Sequence, residues 1–327
     1  MAVHSIIRMS ELERARRMDA KYYHPRFLRL GEVHKRGQWL PIGKHLLMCQ
    51  YGISIKMNTE GDGYPIFRMG DLKAGFAFID DMKFAPISSL VFQKYRLAPG
   101  DVLFNRVNSE EFVGRTGIFK LDGEYVFASY LVRMRTNAGL SPDVLNLFLN
   151  CRYGILSVRR LSRRAVNQAN VNAQELQSVL IPTFSSRFQT ALTEMSEASW
   201  GLYYQSRQRY GEAEHLLLSE AGLVGWKPDH PAGYVRRSYE IVRAERFDAE
   251  HHQLRYDELR SHIRSYPHGF SGLNEIACSS DETVNPRDHP EEEIDYVEIA
   301  SVNPVIGTID EASRMKGREA PSRARIG

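Results

Sequence analysis

The sequence predicts an α+β chain in three parts. The first is a mixed α/β module with a twisted, largely antiparallel sheet (residues 1–185). The second is a long coiled-coil-type helix (186–224). The third is a linker followed by an incomplete second copy of the module (225–327). Three observations carry this. Residues 39–136 are short apolar runs separated by turn signals, the mark of strands joined by tight connections. Residues 186–222 place apolar side chains at three- and four-residue steps, the mark of an amphipathic helix. A segment near the start then returns about 230 residues later.

Taken in order, residues 13–36 read as an opening segment followed by a helix, with Pro25 in its first turn, where a missing N–H costs nothing. Gly61-Asp62-Gly63 and Pro99-Gly100-Asp101 are turns. Val102-Leu103-Phe104 and Gly117-Ile118-Phe119 read as buried strands. Tyr125 to Met134, the longest apolar run, is expected to be one central strand. Ser141-Pro142 starts a helix with Val144, Leu145, Leu147, Phe148 and Leu149 on its face. Val179-Leu180-Ile181-Pro182 reads as a strand.

Phe188, Leu192, Met195, Ser199, Leu202, Ala213 and Leu216 to Leu218 define the stripe of the long helix. Gly222 is its stop, and Gly201 and Gly211 are places where it could bend. A straight helix of this length spans roughly 55 Å at 1.5 Å per residue. The stripe has two readings: packing against the chain's own domains, or an antiparallel helix pair.

The breaker-rich linker Gly225-Trp226-Lys227-Pro228-Asp229-His230-Pro231 follows. Arg246 to His252 then matches Arg17 to Tyr23 at an offset of 229, and Tyr296 to Val302 matches Ile66 to Leu72 at 230. Two matches at nearly one spacing indicate an internal duplication. The second copy stops where the first enters a strand, so the chain is expected to be a fragment or a truncated product.

The net charge of +3 conceals an asymmetry. Residues 1–185 carry 26 Lys+Arg against 16 Asp+Glu, a net of +10; residues 186–327 carry 17 against 24, a net of −7. A polyanion-binding module needs the first balance, although scattered charges kept for solubility would produce it equally well. No apolar run is long enough to span a membrane. Cys49, Cys151 and Cys278 lie far apart and form no CxxC pair, as expected for reduced thiols in a cytoplasmic protein.

Catalytic constellations are missing from the sequence. Asn285-Pro286-Arg287 and Asn303-Pro304-Val305 lack the second proline and the aromatic of an amino-methyltransferase motif. Asp81-Met82-Lys83 has no preceding Pro-Asp, so it reads as a solvated turn rather than a nuclease site. His251-His252 has no ligand partner at metal spacing. P-loop, GxSxG and HExxH patterns do not occur.

A set of ordered segments does carry a resemblance. It runs Trp39-Leu40-Pro41-Ile42-Gly43, then Tyr51-Gly52-Ile53-Ser54, then Pro65 to Leu72, then Leu97 to Asn108. Val113-Gly114-Arg115-Thr116-Gly117 follows, and Asn167 to Asn172 comes before Leu176, Ile181-Pro182 and the long helix with Gln189. In this order they resemble the specificity subunits of type I restriction-modification systems. The resemblance implies two target recognition domains, each reading half of a split double-stranded DNA site, with helices that dock methyltransferase subunits and recruit a restriction subunit. It implies a non-catalytic chain without cofactors, S-adenosylmethionine and ATP with magnesium being held by partner subunits. The incomplete second copy departs from this pattern and allows a homodimer of half-subunits. Two other readings stay open: a recognition fragment of a fused restriction-methylation enzyme, and an interaction adaptor that does not bind DNA.

Phosphate neutralisation calls for Lys and Arg, and reading base edges calls for Arg, Asn and Gln. Arg159, Arg160, Arg163 and Arg164 form the densest basic stretch and are expected to face phosphates. Asn167 and Gln168, just after it, are candidate base readers, against a competing reading as a capped loop end with Asn170 bonding its own backbone. Lys56, Arg68, Lys73, Arg106, Asn108 and Arg115 flank loops between strands, and any of them could instead be a solvating charge. Tyr51 could stack on a base or simply close a strand. Tyr203, Tyr204 and Tyr210 are candidate anchors for a docked partner. Roughly 55 Å of helix corresponds to about 16 base pairs between two readers.

Overall fold

The computed structural model describes residues 4–15, 17–110, 112–165, 168–227, 231, 233–278, 285–302, 307–309 and 312–321. The chain divides into two compact units, Met1–Leu202 and Tyr203–Gly327.

The first unit opens with α1 (Met9–Ala15), α2 (Pro25–His34), β1 (Trp39–Pro41), β2 (Leu46–Tyr51), β3 (Tyr64–Phe67), β4 (Leu72–Lys73), β5 (Phe76–Ala77), β6 (Phe84–Ala85) and α3 (Ser89–Tyr95). It continues through β7 (Val102–Asn105), β8 (Val107–Asn108), β9 (Thr116–Ile118), β10 (Val126–Phe127), β11 (Leu131–Thr136), α4 (Pro142–Asn150) and α5 (Arg152–Leu161). β12 (Arg163–Ala165), β13 (Gln168–Asn170), α6 (Ala173–Gln177), β14 (Leu180–Pro182) and the start of α7 (Ser186–Glu220) complete it.

Among the described residues the largest sheet runs β2-β11-β7-β9-β5-β4. Its ladders are antiparallel except β5–β9. Its side chains, with Phe67 of β3 and Phe127 of β10, build a core that includes Leu103, Phe119 and Leu131. A second cluster under β3, β6 and β10 holds Ile66, Phe92 and Val126.

The run Tyr125–Met134 is not one strand. β10 pairs in parallel with β3, whereas β11 lies between β2 and β7 in the large sheet. The chain turns at Ser129-Tyr130, where Leu131 N–H bonds Ala128 O at 2.9 Å. Apolarity reports burial on both faces, and both strands are buried, so composition could not show the change of sheet. Gly52 sits against this corner. A Cβ there would lie 2.3 Å from the Ala128 oxygen, so only glycine fits.

Helix α7 runs through Gly201 and Gly211 and ends where the sequence places its stop. Gly222 takes φ +67°, and Leu223 N–H reaches back to Leu218 O at 2.7 Å, a Schellman closure. The face that packs in the first unit is polar rather than the predicted apolar stripe. Gln189 accepts from Ser141 N–H at 2.8 Å, the Thr193 and Ser141 hydroxyls lie 2.8 Å apart, and buried Ser196 bonds Asp143. Lys120 pairs with Asp143 at 2.8 Å, both nearly buried, and also reaches Glu197. Trp200 packs on Phe76. Phe188, Met195 and Leu202 of the stripe are exposed.

The second unit holds the end of α7, α8 (Ser238–Ala244), α9 (Leu254–Arg264), α10 (Leu273–Ile276), β15 (Glu293–Tyr296) and β16 (Ser313–Lys316). Its first part repeats a set of local hydrogen bonds from the start of the first unit at an offset of 229. α8 matches α1 residue for residue, and Arg237 N–H bonds Glu240 as Arg8 N–H bonds Glu11. Arg246 Nε donates to Asp248 at 2.8 Å, as Arg17 Nε does to Asp19 at 2.7 Å. His251 N–H bonds Asp248 as Tyr22 N–H bonds Asp19. The Tyr23 hydroxyl donates to Arg17 O at 2.8 Å, and His252 Nε2 lies 2.6 Å from Arg246 O. Further on, at an offset of 230, β15 pairs with β16 in the register of β3 with β6. Ile294 faces Met315 as Tyr64 faces Ala85.

Candidate nucleic-acid interface

A small three-stranded sheet, β12-β13-β8, collects the polar side chains that could read a duplex. β12 and β13 form a hairpin directly after α5, and Ala169 and Asn170 of β13 pair with Asn108 and Val107 of β8. Arg106, between β7 and β8, is the hub of this region. Its Nε donates to Ser129 O at 3.0 Å, its Nη1 to Asn170 Oδ1 at 3.4 Å, and its guanidinium lies 4.9 Å from the Tyr51 ring centroid. The Tyr51 hydroxyl accepts from Ala173 N–H at 2.8 Å, which holds the half-exposed ring at the surface. Three neighbours therefore fix the direction of Arg106, a pre-organisation that lowers the cost of engaging a ligand.

Asn108 donates to Met69 Sδ at 3.7 Å and accepts from Ser109 N–H at 2.8 Å, so its amide orientation is set. Gln168 is exposed at the end of the hairpin, opposite Ala165. Exposed Arg163 donates to Glu175 at 2.9 Å, a pair in high dielectric that a phosphate can displace at little cost. Glu175 also closes the capping box of α6 with Asn172. The capping residue is thus Asn172, while Asn170 turns to Arg106. The Arg164 side chain and Asn167 lie outside the described residues.

Arg163 and Gln168 share one face of this sheet with Asn170, which Arg106 bonds, whereas Asn108, paired with buried Ala169, belongs to the other face. Arg115, just before β9, is exposed and stacked 4.0 Å from the Phe112 ring centroid. The other candidates lie elsewhere. Arg160 donates to Tyr22 O at 3.3 Å and covers the Tyr22 ring at 4.3 Å, so it holds the opening segment against α5. Arg159, on the same helix, lines a groove of about 670 Å³ with Arg26, Arg29 and Arg152. Arg68 spans Asp71 and Asp81, and Lys73 pairs with Asp80, which braces the loops beside β3 and β4. Lys56 is exposed in the segment between β2 and β3. Tyr204 and Tyr210 of α7 are partly exposed, and Tyr203 is half-buried.

The contact of Asn108 with Met69, and those of Arg106 with Tyr51 and Asn170, could not be read from spacing. Their role depends on strands far apart in sequence meeting at one edge. Burial pushes the Cys49 thiol up to about 11, so it stays protonated. Among the described residues no group of three or more His, Cys, Asp or Glu could hold a metal ion, and no helix is long and apolar enough to cross a membrane.

No family model matches the chain. Sequence comparison does find relatives. The putative type I restriction enzyme MjaX specificity subunit of Methanocaldococcus jannaschii is 27% identical over 161 residues, 47% of this chain and 37% of that protein. The EcoKI specificity subunit of Escherichia coli K12 is 28% identical over 136 residues, 40% of this chain and 29% of that protein. This chain is a relative of type I restriction specificity subunits. It spans about a third of the length of the curated relatives it matches. The fold overlaps in part with the HsdS subunit of Thermoanaerobacter tengcongensis. That match has 18% identity and a TM-score of 0.36, over 52% of this chain and 39% of that one, a score too low to add to the sequence relationship.

Proposed function

We propose that the chain reads double-stranded DNA by sequence as the specificity component of a type I restriction-modification assembly, and that it performs no chemistry of its own. The observation that carries this reading is the β12-β13-β8 sheet, where Arg106 is held by Tyr51, Ser129 and Asn170, and Asn170 shares its face with Gln168 and Arg163. Arg, Asn and Gln are the side chains whose donor patterns match base edges in the major groove. Around them, the net of +10 in residues 1–185 supplies the counterion-release part of the affinity. The sequence relatives support the assignment through their names.

In this reading Asn108 and Gln168 are base readers and Arg163 is a phosphate contact, with Arg115, Arg159 and Lys56 as outlying phosphate contacts. Arg160 acts indirectly, by fixing α5 and hence the base of the hairpin. Methyltransferase subunits dock on the exposed side of α7, with Tyr204 and Tyr210 as anchors, and a restriction subunit joins through them. S-adenosylmethionine and ATP with magnesium belong to those partners. Titration of the chain with a random-sequence duplex and with duplexes selected from a library tests this. The expected result is binding to both that weakens steeply with salt, with a preference for the selected sites of at least about a hundredfold. Binding that ignores salt and sequence would reject the reading in favour of an adaptor that does not bind DNA.

A further inference from the structure

In the first unit the opening segment holds three successive residues at the end of α5. Arg160 Nε donates to Tyr22 O at 3.3 Å, Leu161 O accepts from Arg17 Nη1 at 2.7 Å, and the buried Ser162 hydroxyl accepts from Lys21 Nζ at 2.9 Å. Arg17 meets one of the last carbonyls of α5, the favourable pole of a helix for a cation. β12 begins at the next residue, Arg163, so these bonds set the root of the β12–β13 hairpin. Lys21 Nζ also lies 3.1 Å from Glu110 Oε1. Glu110 belongs to the loop that leaves β8. Its neighbour Ser109 donates its N–H to Asn108 Oδ1 at 2.8 Å, and Ser109 O accepts from Val113 N–H at 2.9 Å. One ammonium thus spans the hairpin root and the β8–β9 loop, the two flanks of the β12-β13-β8 sheet.

We infer that Lys21, in a chain that reads DNA as proposed, is a positioning residue for base recognition: its bridge between Ser162 and Glu110 fixes where the hairpin presents Gln168. The Lys21 and Glu110 side chains are 20% and 28% exposed, whereas Arg163 in its pair with Glu175 is 66% exposed. The Lys21 pair is therefore the less screened of the two, and its ammonium is turned into the protein rather than toward a phosphate. The second copy shows that the opening turn does not need this ammonium. Glu250 stands 229 residues on from Lys21, yet Arg246 and His251 bond Asp248 as Arg17 and Tyr22 bond Asp19. What Lys21 adds is the tie between elements. The ladder that joins the hairpin to β8 is two residue pairs long, Ala169 with Asn108 and Asn170 with Val107. A hairpin is marginal in water without such support, so the tie at its root decides the angle at which its exposed end is held.

The test is selection from a random duplex library, with salt titration of the selected sites, using the full parent chain and its Lys21→Met, Lys21→Arg and Glu110→Ala variants. Methionine keeps the aliphatic stem and removes the ammonium. Lys21→Met should lose about tenfold of the preference at the base positions that Gln168→Ala relaxes, the worth of about one base contact, with an unchanged salt slope. In a Gln168→Ala background it should add no further loss at those positions. Lys21→Arg, whose guanidinium has donors for both partners, should restore the preference. Glu110→Ala breaks the same bridge from a partly exposed loop and should relax the same positions, which keeps the test decisive should Lys21→Met fail to fold. A parent that discriminates, with Lys21→Met or Glu110→Ala selecting the same bases equally well, overturns the inference and leaves DNA reading intact. Uniform weakening on all sequences with a salt slope lower by about one overturns it too, since Lys21 would then be a phosphate contact. So does uniform weakening with an unchanged slope and a lower unfolding midpoint, the mark of a purely structural side chain. A parent without sequence preference overturns both this role and DNA reading.

Discussion

The two copies of the opening segment differ in what they meet, not in how they are built. Residues 17–24 and 246–253 make the same turn, held by the same arginine–aspartate pair and the same backbone bonds, and both feed a helix. In the first copy α5 closes over that helix and buries Phe27. In the second, Tyr256 stays at the rim of an open groove. The turn is therefore a local device that forms without its cover, and burial of the helix is a separate, tertiary event.

The largest effect that would sharpen this contrast comes from truncating the equivalent aromatics. Phe27→Ala should cost about 3–5 kcal/mol in urea unfolding, as for a fully buried ring, and Tyr256→Ala about a third of that or less. Equal costs would mean that the second groove is closed in solution. Next in size is Lys120→Met. It leaves Asp143 buried without its cation beside Ser196, so a loss of about 3 kcal/mol is expected, with faster proteolysis near residue 190.

Smaller and matched effects are expected for Asp19→Ala and Asp248→Ala. Each should lower the midpoint of thermal unfolding slightly and to a similar extent, since each removes the acceptor of the same turn. An effect confined to Asp19 would show that the turn needs α5. The smallest effect concerns pH. Burial, with help from Arg160, holds the His34 imidazole below its ordinary value of 6.5, beside the Trp39 ring. A depressed base favours the folded state when neutral, so its contribution is present above pH 6.5 and fades as pH falls below that. His34→Gln should flatten this part of the profile of unfolding midpoint against pH.

Much of the architecture was legible in the sequence. The α+β class followed from turn-separated apolar runs, α7 from its periodicity and Gly222, and the duplication from two matches at one offset. What failed did so for physical reasons. The run Tyr125–Met134 was read as one strand because apolarity does not record a change of sheet at Ser129-Tyr130. Of the two readings of the α7 stripe, packing against the chain's own first unit fails at Phe188, Met195 and Leu202, which face outward, because the helix is held there by Gln189, Thr193, Ser196 and the Lys120–Asp143 pair. The basic stretch 159–164 looked like a single patch, yet a helix end falls inside it. Arg160 bonds Tyr22, and Arg163 on the hairpin pairs with Glu175 of α6. Arg106, Asn108 and Tyr51 were candidates by residue type, whereas the meeting of Arg106 and Tyr51 with Asn170 became visible only once β2, β8 and β13 were placed together.

The central claim is that the amides on the β12-β13-β8 sheet choose bases while the arginines around them grip the backbone. Selection from a random duplex library with the parent, Asn108→Ala, Gln168→Ala and Arg163→Ala chains measures it directly. Asn108→Ala and Gln168→Ala should each relax preference at defined base positions, at about 1–3 kcal/mol of discrimination, with an unchanged salt slope. Arg163→Ala should weaken all sequences alike and reduce the slope by about one. Identical selected sequences and identical salt slopes for all four chains would contradict the account.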